Sequence, residues 1–282
     1  MHHSVLAIAA HPDDIEFVMA GTLLQLGLRG WQVHYFNIAN GCCGSKTLSR
    51  AECAAIRLKE AQRAASLIPA NFYPPICDDL DIFYSKPLLE QVSAVVRQAQ
   101  PSIILTHSLA DYMEDHQNAA RLAVAAAFTR AMPSVITNPQ VAAVDQDVAI
   151  YHAQPHGNRD PMGQLVHPTH FVDVSGMIQR KRELLAAHAS QDQWLEATQQ
   201  ISAYLETMQQ LNREVGQMSC QAAAKVSREP FTFAEGWRPH LHLGFSSAHF
   251  DPLAEALGES LIRVAPDGQE TESESDQRLY QR

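Results

Sequence analysis

The segment at residues 4–9, Ser-Val-Leu-Ala-Ile-Ala, shows no alternation of polar and apolar positions. A strand of that kind has to be covered on both faces, which is the condition of a strand inside a parallel sheet. The same character returns at 33–38 and at 102–106. Between these runs lie stretches with helical spacing: Phe17, Leu23, Leu24 and Leu28 before Gly30, then 49–67, 88–98 and 115–131. Residues 71–76 read as strand, kept short or at an edge by Pro74-Pro75. Further strands are expected at 148–152 and 169–174, and helices at 176–188 and 194–215. Repeated β-α units with short links predict a Rossmann-like, three-layer α/β/α fold on a mostly parallel sheet, with right-handed crossovers. Ligands of such sheets sit at the carboxyl ends of the strands. No Gly-, Ser- or Pro-rich linker divides the chain, so one domain is expected over 1–258, with a polar, acidic and disordered tail over 259–282.

Of the 282 residues, 46% are apolar or aromatic and 18% charged, enough for a large core. Acidic residues outnumber basic ones 31 to 21, for a net charge of −10, which argues against nucleic acid or an anionic membrane as the main partner. No apolar run approaches the ~20 residues of a membrane span, and residues 1–3 lead straight into the first strand without a signal core. A cytoplasmic protein is the expectation. The five cysteines show no C-x-x-C spacing, so neither a disulfide framework nor a cysteine zinc site is expected. Cys42 and Cys43 read as small packing residues of a rim loop. Trp194, Tyr204 and Met208 read as a helix stripe facing the core or a subunit interface.

Histidine, with 14 copies, is the unusual count. The first strand ends in Ala10-His11-Pro12-Asp13-Asp14, where an α/β sheet places its ligand residues. His11 and Asp14, three apart across a turn, can converge on one cation and leave Asp13 free to act on a metal-bound water. The plainer alternative is an aspartate N-cap beside a buried histidine. After the strand at 102–106, Asp115-His116 opens a helix in the same way. If the two strands are neighbours, His11, Asp14 and His116 offer two nitrogens and one oxygen with an open position, the donor set of catalytic zinc. Otherwise Asp115 caps the helix and His116 lies on the surface. A nucleotide-binding Rossmann protein would need Gly-x-Gly-x-x-Gly in the first turn, where this chain has two carboxylates that repel phosphate.

These residues resemble the LmbE-like/PIG-L family of zinc-dependent N-deacetylases, which act on N-acetylglucosamine-type sugars. Asn40-Gly41 with Gly44-Ser45, Arg57-x-x-Glu60-Ala61, Asp173 with Lys181 and His188-x-Ser190-Gln191, and the stretch 233–238 extend the resemblance over about residues 4–240. It implies His11, Asp14 and His116 as ligands of Zn2+, with Fe2+ as the other suitable metal. It further implies Asp13 as general base, Asp115 as a residue orienting His116 or a neighbouring group, and a small-molecule or glycoconjugate substrate bearing an N-acetyl group. Family members often form homo-oligomers. Where the family reads His-Pro-Asp-His, this chain has Met113-Glu114-Asp115-His116, and a thioether cannot donate a proton. His156, His188, His240 and His242 are then candidates for the missing acid, with His156 favoured for its Pro/Gly surroundings. Arg50 and Arg57 are candidate substrate contacts. Hydrolysis of another amide, or metal or sugar binding without hydrolysis, are the alternatives.

Overall fold

A computed structural model describes residues 3–191 and 204–264. Its eight strands are β1 (Ser4–Ala9), β2 (Gln32–Asn37), β3 (Asn71–Tyr73), β4 (Ile103–Thr106), β5 (Ala149–Ala153), β6 (His170–Asp173), β7 (Ala234–Pro239) and β8 (Leu261–Arg263). They form one sheet in the order β3-β2-β1-β4-β5-β7-β6-β8. The first five are parallel, with Val5 beside both Val33 and Ile103, and the last three join antiparallel. The described helices are α1 (Asp14–Val18), α2 (Ala20–Leu28), α3 (Arg50–Leu67), α4 (Lys86–Ala99), α5 (Glu114–Thr129), α6 (Ile178–Leu185), α7 (Tyr204–Lys225) and α8 (Pro252–Leu257). None of them is long and apolar enough to cross a membrane.

The lack of alternation in β1 has a direct cause. Val5, Ala7 and Ala9 enter one core with Ile15, Leu23 and Leu26 of α1 and α2, while Leu6 and Ile8 enter the opposite core with Val92, Val96, Leu122 and Ala126 of α4 and α5. Each fully buried aliphatic side chain contributes about 1.5–3 kcal/mol. The three-layer α/β/α fold read from the sequence is therefore present.

Three details differ from the expectation. The helix expected through 17–28 is two helices, broken at Met19 (φ −129°). The break frees the N–H groups of Gly21 and Thr22, which donate to the Glu235 carboxylate at 2.8 Å each. A side chain at residue 21 would meet Val174 at 2.4 Å, so only glycine fits there. Residues 234–239, noted only as a motif, form a sheet strand whose Glu, Gly and Pro give little β signal. The 258 boundary also falls short: Leu261 and Ile262 are buried, and β8 pairs with β6. Trp194 and the acidic stretch from Ala265 lie outside the described residues.

Candidate metal centre and pocket

Parallel neighbours β1 and β4 are the place where the strand order reverses, so the loops leaving them diverge and open a crevice. The loop after β1 turns tightly: the His11 N–H donates to Asp14 Oδ2 at 2.7 Å and the Asp14 N–H returns to the His11 carbonyl at 3.3 Å. Asp13 between them sits at φ 103°, a left-handed conformation that costs an aspartate of order 1–3 kcal/mol. Arg57 of α3 holds it there, donating to the Pro12 carbonyl and lying 3.3 Å from Asp13 Oδ1. On the other side the Tyr204 hydroxyl of α7 donates to Asp13 Oδ2 at 2.7 Å. The glycines of the Asn40-Gly41 and Gly44-Ser45 motif make room for Arg57. A Cβ at Gly41 would lie 2.5 Å from its Cδ, and one at Gly44 2.7 Å from its guanidinium.

Ligand atoms of His11, Asp14 and His116 all lie within 4.8 Å of one another. His11 Nδ1 is 3.4 Å from Asp14 Oδ2, and His116 Nε2 is 3.3 Å from Asp14 Oδ1. The outward nitrogen of each imidazole is engaged: His11 Nε2 with Asp115 Oδ2 at 2.9 Å, His116 Nδ1 with Asp111 Oδ1 at 3.0 Å. A carboxylate on the far nitrogen sets the tautomer that leaves the inner lone pair for a metal. Asp115 thus orients His11, and the residue that orients His116 is Asp111, which the sequence reading missed. The ring of His107, also unforeseen, stacks on His116 at 4.1 Å, and its Nε2 accepts the Ala10 N–H at 3.0 Å. His107, Asp111 and His116 form a second ligand-like trio, in which His107 Nε2 already accepts the Ala10 N–H and His116 Nδ1 already meets Asp111. A residue immediately after a buried strand and an acid in the same loop were the available signals.

Electrostatics point the same way. Burial pulls the His11 pKa down, but hydrogen bonds to Asp115 and Asp14 outweigh it and raise it to about 9. Burial likewise opposes His116, and the carboxylates of Asp14 and Asp111 still raise it to about 10. The cluster is built to hold positive charge, which a divalent ion can supply in place of two protons. Two neutral imidazoles and one carboxylate are the donors that zinc takes, so the residues present fit the metal. Burial raises the Asp13 carboxyl above its ordinary value, with Arg57 opposing, which moves it toward the range of a general base.

A cavity of about 240 Å³ opens over this cluster, walled by Phe17, Tyr112, Met113, His156 and Tyr204. His156 stands at its rim, the backbone N–H donating to Asp111 Oδ2 at 3.3 Å and the ring 5.0 Å from Phe17. Although much of the residue is exposed, the packed ring has its pKa lowered by desolvation. The other candidate acids lie elsewhere: His188 is sealed against Glu16 at 3.1 Å, His240 bonds His152 at 3.0 Å, and His242 packs on His249. Tyr204, read as a stripe residue, does pack in the core with Phe17, Leu185 and Met208, and its hydroxyl also reaches Asp13. Two expectations need correction. Arg50 is more than half exposed, pairs with Asp78 at 2.9 Å and does not line the cavity. Arg57 does line it but is 3% exposed and engaged with Asp13, so it positions that residue and offers a substrate no free cation.

The PIG-L family (GlcNAc-PI de-N-acetylase) matches residues 6–127. The chain is 26% identical over 197 residues to a diacetylchitobiose deacetylase of Thermococcus kodakarensis, covering 66% of this chain and 69% of that protein. Its fold is similar to an N,N'-diacetylchitobiose deacetylase from Pyrococcus horikoshii (TM-score 0.67, 22% identity, 89% of this chain and 88% of the other). It is also similar to a 4-carboxy-2-hydroxymuconate hydratase from Pseudomonas putida (TM-score 0.70, 20% identity, 86% and 97%). The resemblance read from the sequence therefore holds, and the stretch that matches the PIG-L family contains the loops of His11, Asp13, Asp14, Asp111, Asp115 and His116.

Proposed function

We propose that this protein is a metal-dependent hydrolase that removes the acetyl group from the amide nitrogen of an N-acetylglucosamine-type sugar or conjugate. The observation that carries this reading is the convergence of His11, Asp14 and His116 beneath a cavity into which Asp13 also faces. These three residues would hold Zn2+ or Fe2+, which when bound supplies Lewis acidity to the amide carbonyl and acidifies a water. Asp13, kept in place by Arg57 and Tyr204, takes the proton of the attacking water. His156 is the one histidine at the rim not already committed to the ligand cluster, and it is placed to pass a proton to the leaving amine in the role that Met113 cannot fill. Its lowered pKa means that it starts neutral and takes up the proton that Asp13 gives away. The walls Phe17, Tyr112 and Tyr204 offer faces to a sugar ring.

The similarity to a hydratase motivates a second reading, the addition of water to an unsaturated carboxylic acid. Among the described cavity residues, Arg57 is the one Lys or Arg, and Asp13 engages it. Among the described cavity residues no unengaged Lys or Arg is left for a multiply charged acid, which favours the neutral acetamide. The homo-oligomer and cytoplasmic location expected of the family belong to the same proposal.

The test is acetate release from N-acetylglucosamine and N,N'-diacetylchitobiose by metal-loaded protein, with and without chelator. Release that chelator and His116→Ala both abolish is the expected result. Metal-loaded protein that releases no acetate but hydrates a carboxylic substrate would establish the second reading, and protein that does neither would be a binding member of the family.

A further inference from the structure

The loop after β2 carries two adjacent cysteines that the proposed hydrolysis does not use. Their sulfurs are 3.9 Å apart, and both lie within 4.8 Å of a carboxylate oxygen of Asp79. The loop is held by short bonds: Asp79 accepts the Gly41 N–H at 2.6 Å and the Cys43 N–H at 2.8 Å, and Asn40 Oδ1 accepts the Cys42 N–H at 3.0 Å. Gly41, at φ +77°, permits the turn that brings the two sulfurs to one side. Cys43 and Asp79 both line the cavity over the His11 cluster, whereas Cys42 is buried behind them. Packing alone asks only for small residues here; it does not ask for two thiols converging with a carboxylate on the wall of a pocket.

We propose that Cys42, Cys43 and Asp79 form a second cation site, for a thiophilic divalent ion such as Zn2+ or Cd2+, and that filling it obstructs the cavity. The donor set is softer than that of His11, Asp14 and His116. Thiolates select Zn2+ and Cd2+ over Mg2+ and Ca2+, and sulfur ligation gives this site a spectroscopic signature that the nitrogen and oxygen donors of the first site lack. The Arg50 guanidinium lies 3.4 Å from Cys43 Sγ. Both sulfurs bind as thiolates, so each cation taken up releases two protons to solvent and no oxidant takes part. Binding does not depend on the deacetylase reading; only the obstruction of turnover does.

The test is titration of the full chain with Cd2+, followed by the ultraviolet sulfur-to-cadmium charge-transfer band. Unsubstituted protein develops the band, Cys42→Ser and Cys43→Ser each lose it, and Cys53→Ser, Cys77→Ser, Cys220→Ser and His116→Ala retain it. Cadmium NMR of the unsubstituted protein needs no variant and shows a resonance in the region of sulfur ligation. No band, or a band that survives in the Cys42→Ser/Cys43→Ser double variant, overturns the site. Excess Zn2+ inhibits acetate release by the unsubstituted enzyme and not by Cys43→Ser; equal inhibition of both would leave binding intact and overturn the obstruction. Absence of acetate release altogether counts against the proposed function and leaves the spectroscopic result standing.

Discussion

Two carboxylates, one sealed in the core and one half-buried at a strand end, make an instructive pair. Glu235, on the antiparallel β7, is saturated. It accepts from the Gly21 and Thr22 N–H groups, from the Thr22 hydroxyl at 2.6 Å and from Lys181 Nζ at 2.6 Å, with both ion-pair side chains sealed from solvent. Asp14, at the carboxyl end of the parallel β1, faces His11, His107 and His116 at 3.3–3.4 Å and opens onto a cavity. Burial alone would raise the Asp14 carboxyl; the charges of His116 and His107 hold it well below its ordinary range. A saturated carboxylate braces: Glu235 pins the start of α2 and so the kink that presents α1 to the site. An unsaturated one surrounded by imidazoles has capacity left for an ion. Buried charge by itself therefore says little about function, and the partner atoms decide.

The sharpest way to break this contrast is at Asp13. Asp13→Asn should lower turnover about 10²–10⁴-fold with metal still bound; measured turnover within threefold of the parent at full metal occupancy would remove it from the mechanism. At the other end, Lys181→Met leaves Glu235 unpaired and should cost about 3–5 kcal/mol in urea unfolding. A loss under about 1 kcal/mol would mean that the backbone donors alone satisfy Glu235.

His152, on the seam strand β5 between the two halves, gives a pH test. Burial lowers its pKa from 6.5 to about 4, so the unfolded chain binds that proton first as pH falls. Its contribution is full above pH 6.5 and is lost between 6.5 and about 4, on the order of 3 kcal/mol. His152→Gln should flatten the urea midpoint across that window, and an unchanged slope would exclude the residue as its source. The smallest effect is expected from the orienting acids. Asp111→Asn and Asp115→Asn should each weaken zinc about 10–100-fold by competition against a chelating dye. If only one does so, only one imidazole is a ligand.

Much of this was legible before any coordinates. The double burial of β1 shows as an unbroken apolar run, because the pleat sends Val5 and Leu6 to opposite cores that are both dry. His11, Asp13, Asp14 and His116 stand out because strand ends in parallel sheets collect ligand residues within a few positions of one another. Asp111 was harder: it meets His116 through a loop, with no helical spacing to mark the pair. Arg57 was read as a candidate substrate contact from its place on the helix after β2, yet its partner is Asp13. Tyr204 carried a helix period, and that period gives no hint that its hydroxyl ends on a carboxylate 191 residues away.

Local patterns thus determined the layers, the positions of the central strands and the identity of the candidate metal-binding turn, since these follow from which side chains avoid water and where a strand must end. Only the packed molecule decided which acid orients which histidine, which arginine is already engaged, and that β7 and β8 complete the sheet. Most of those outcomes hang on contacts between distant segments, for example Leu80 with Asp115, 35 residues apart, and Thr22 with Glu235, 213 apart, while the Asp111–His116 pair hangs on the path of a loop. No propensity or period within a single segment encodes a distance of that kind.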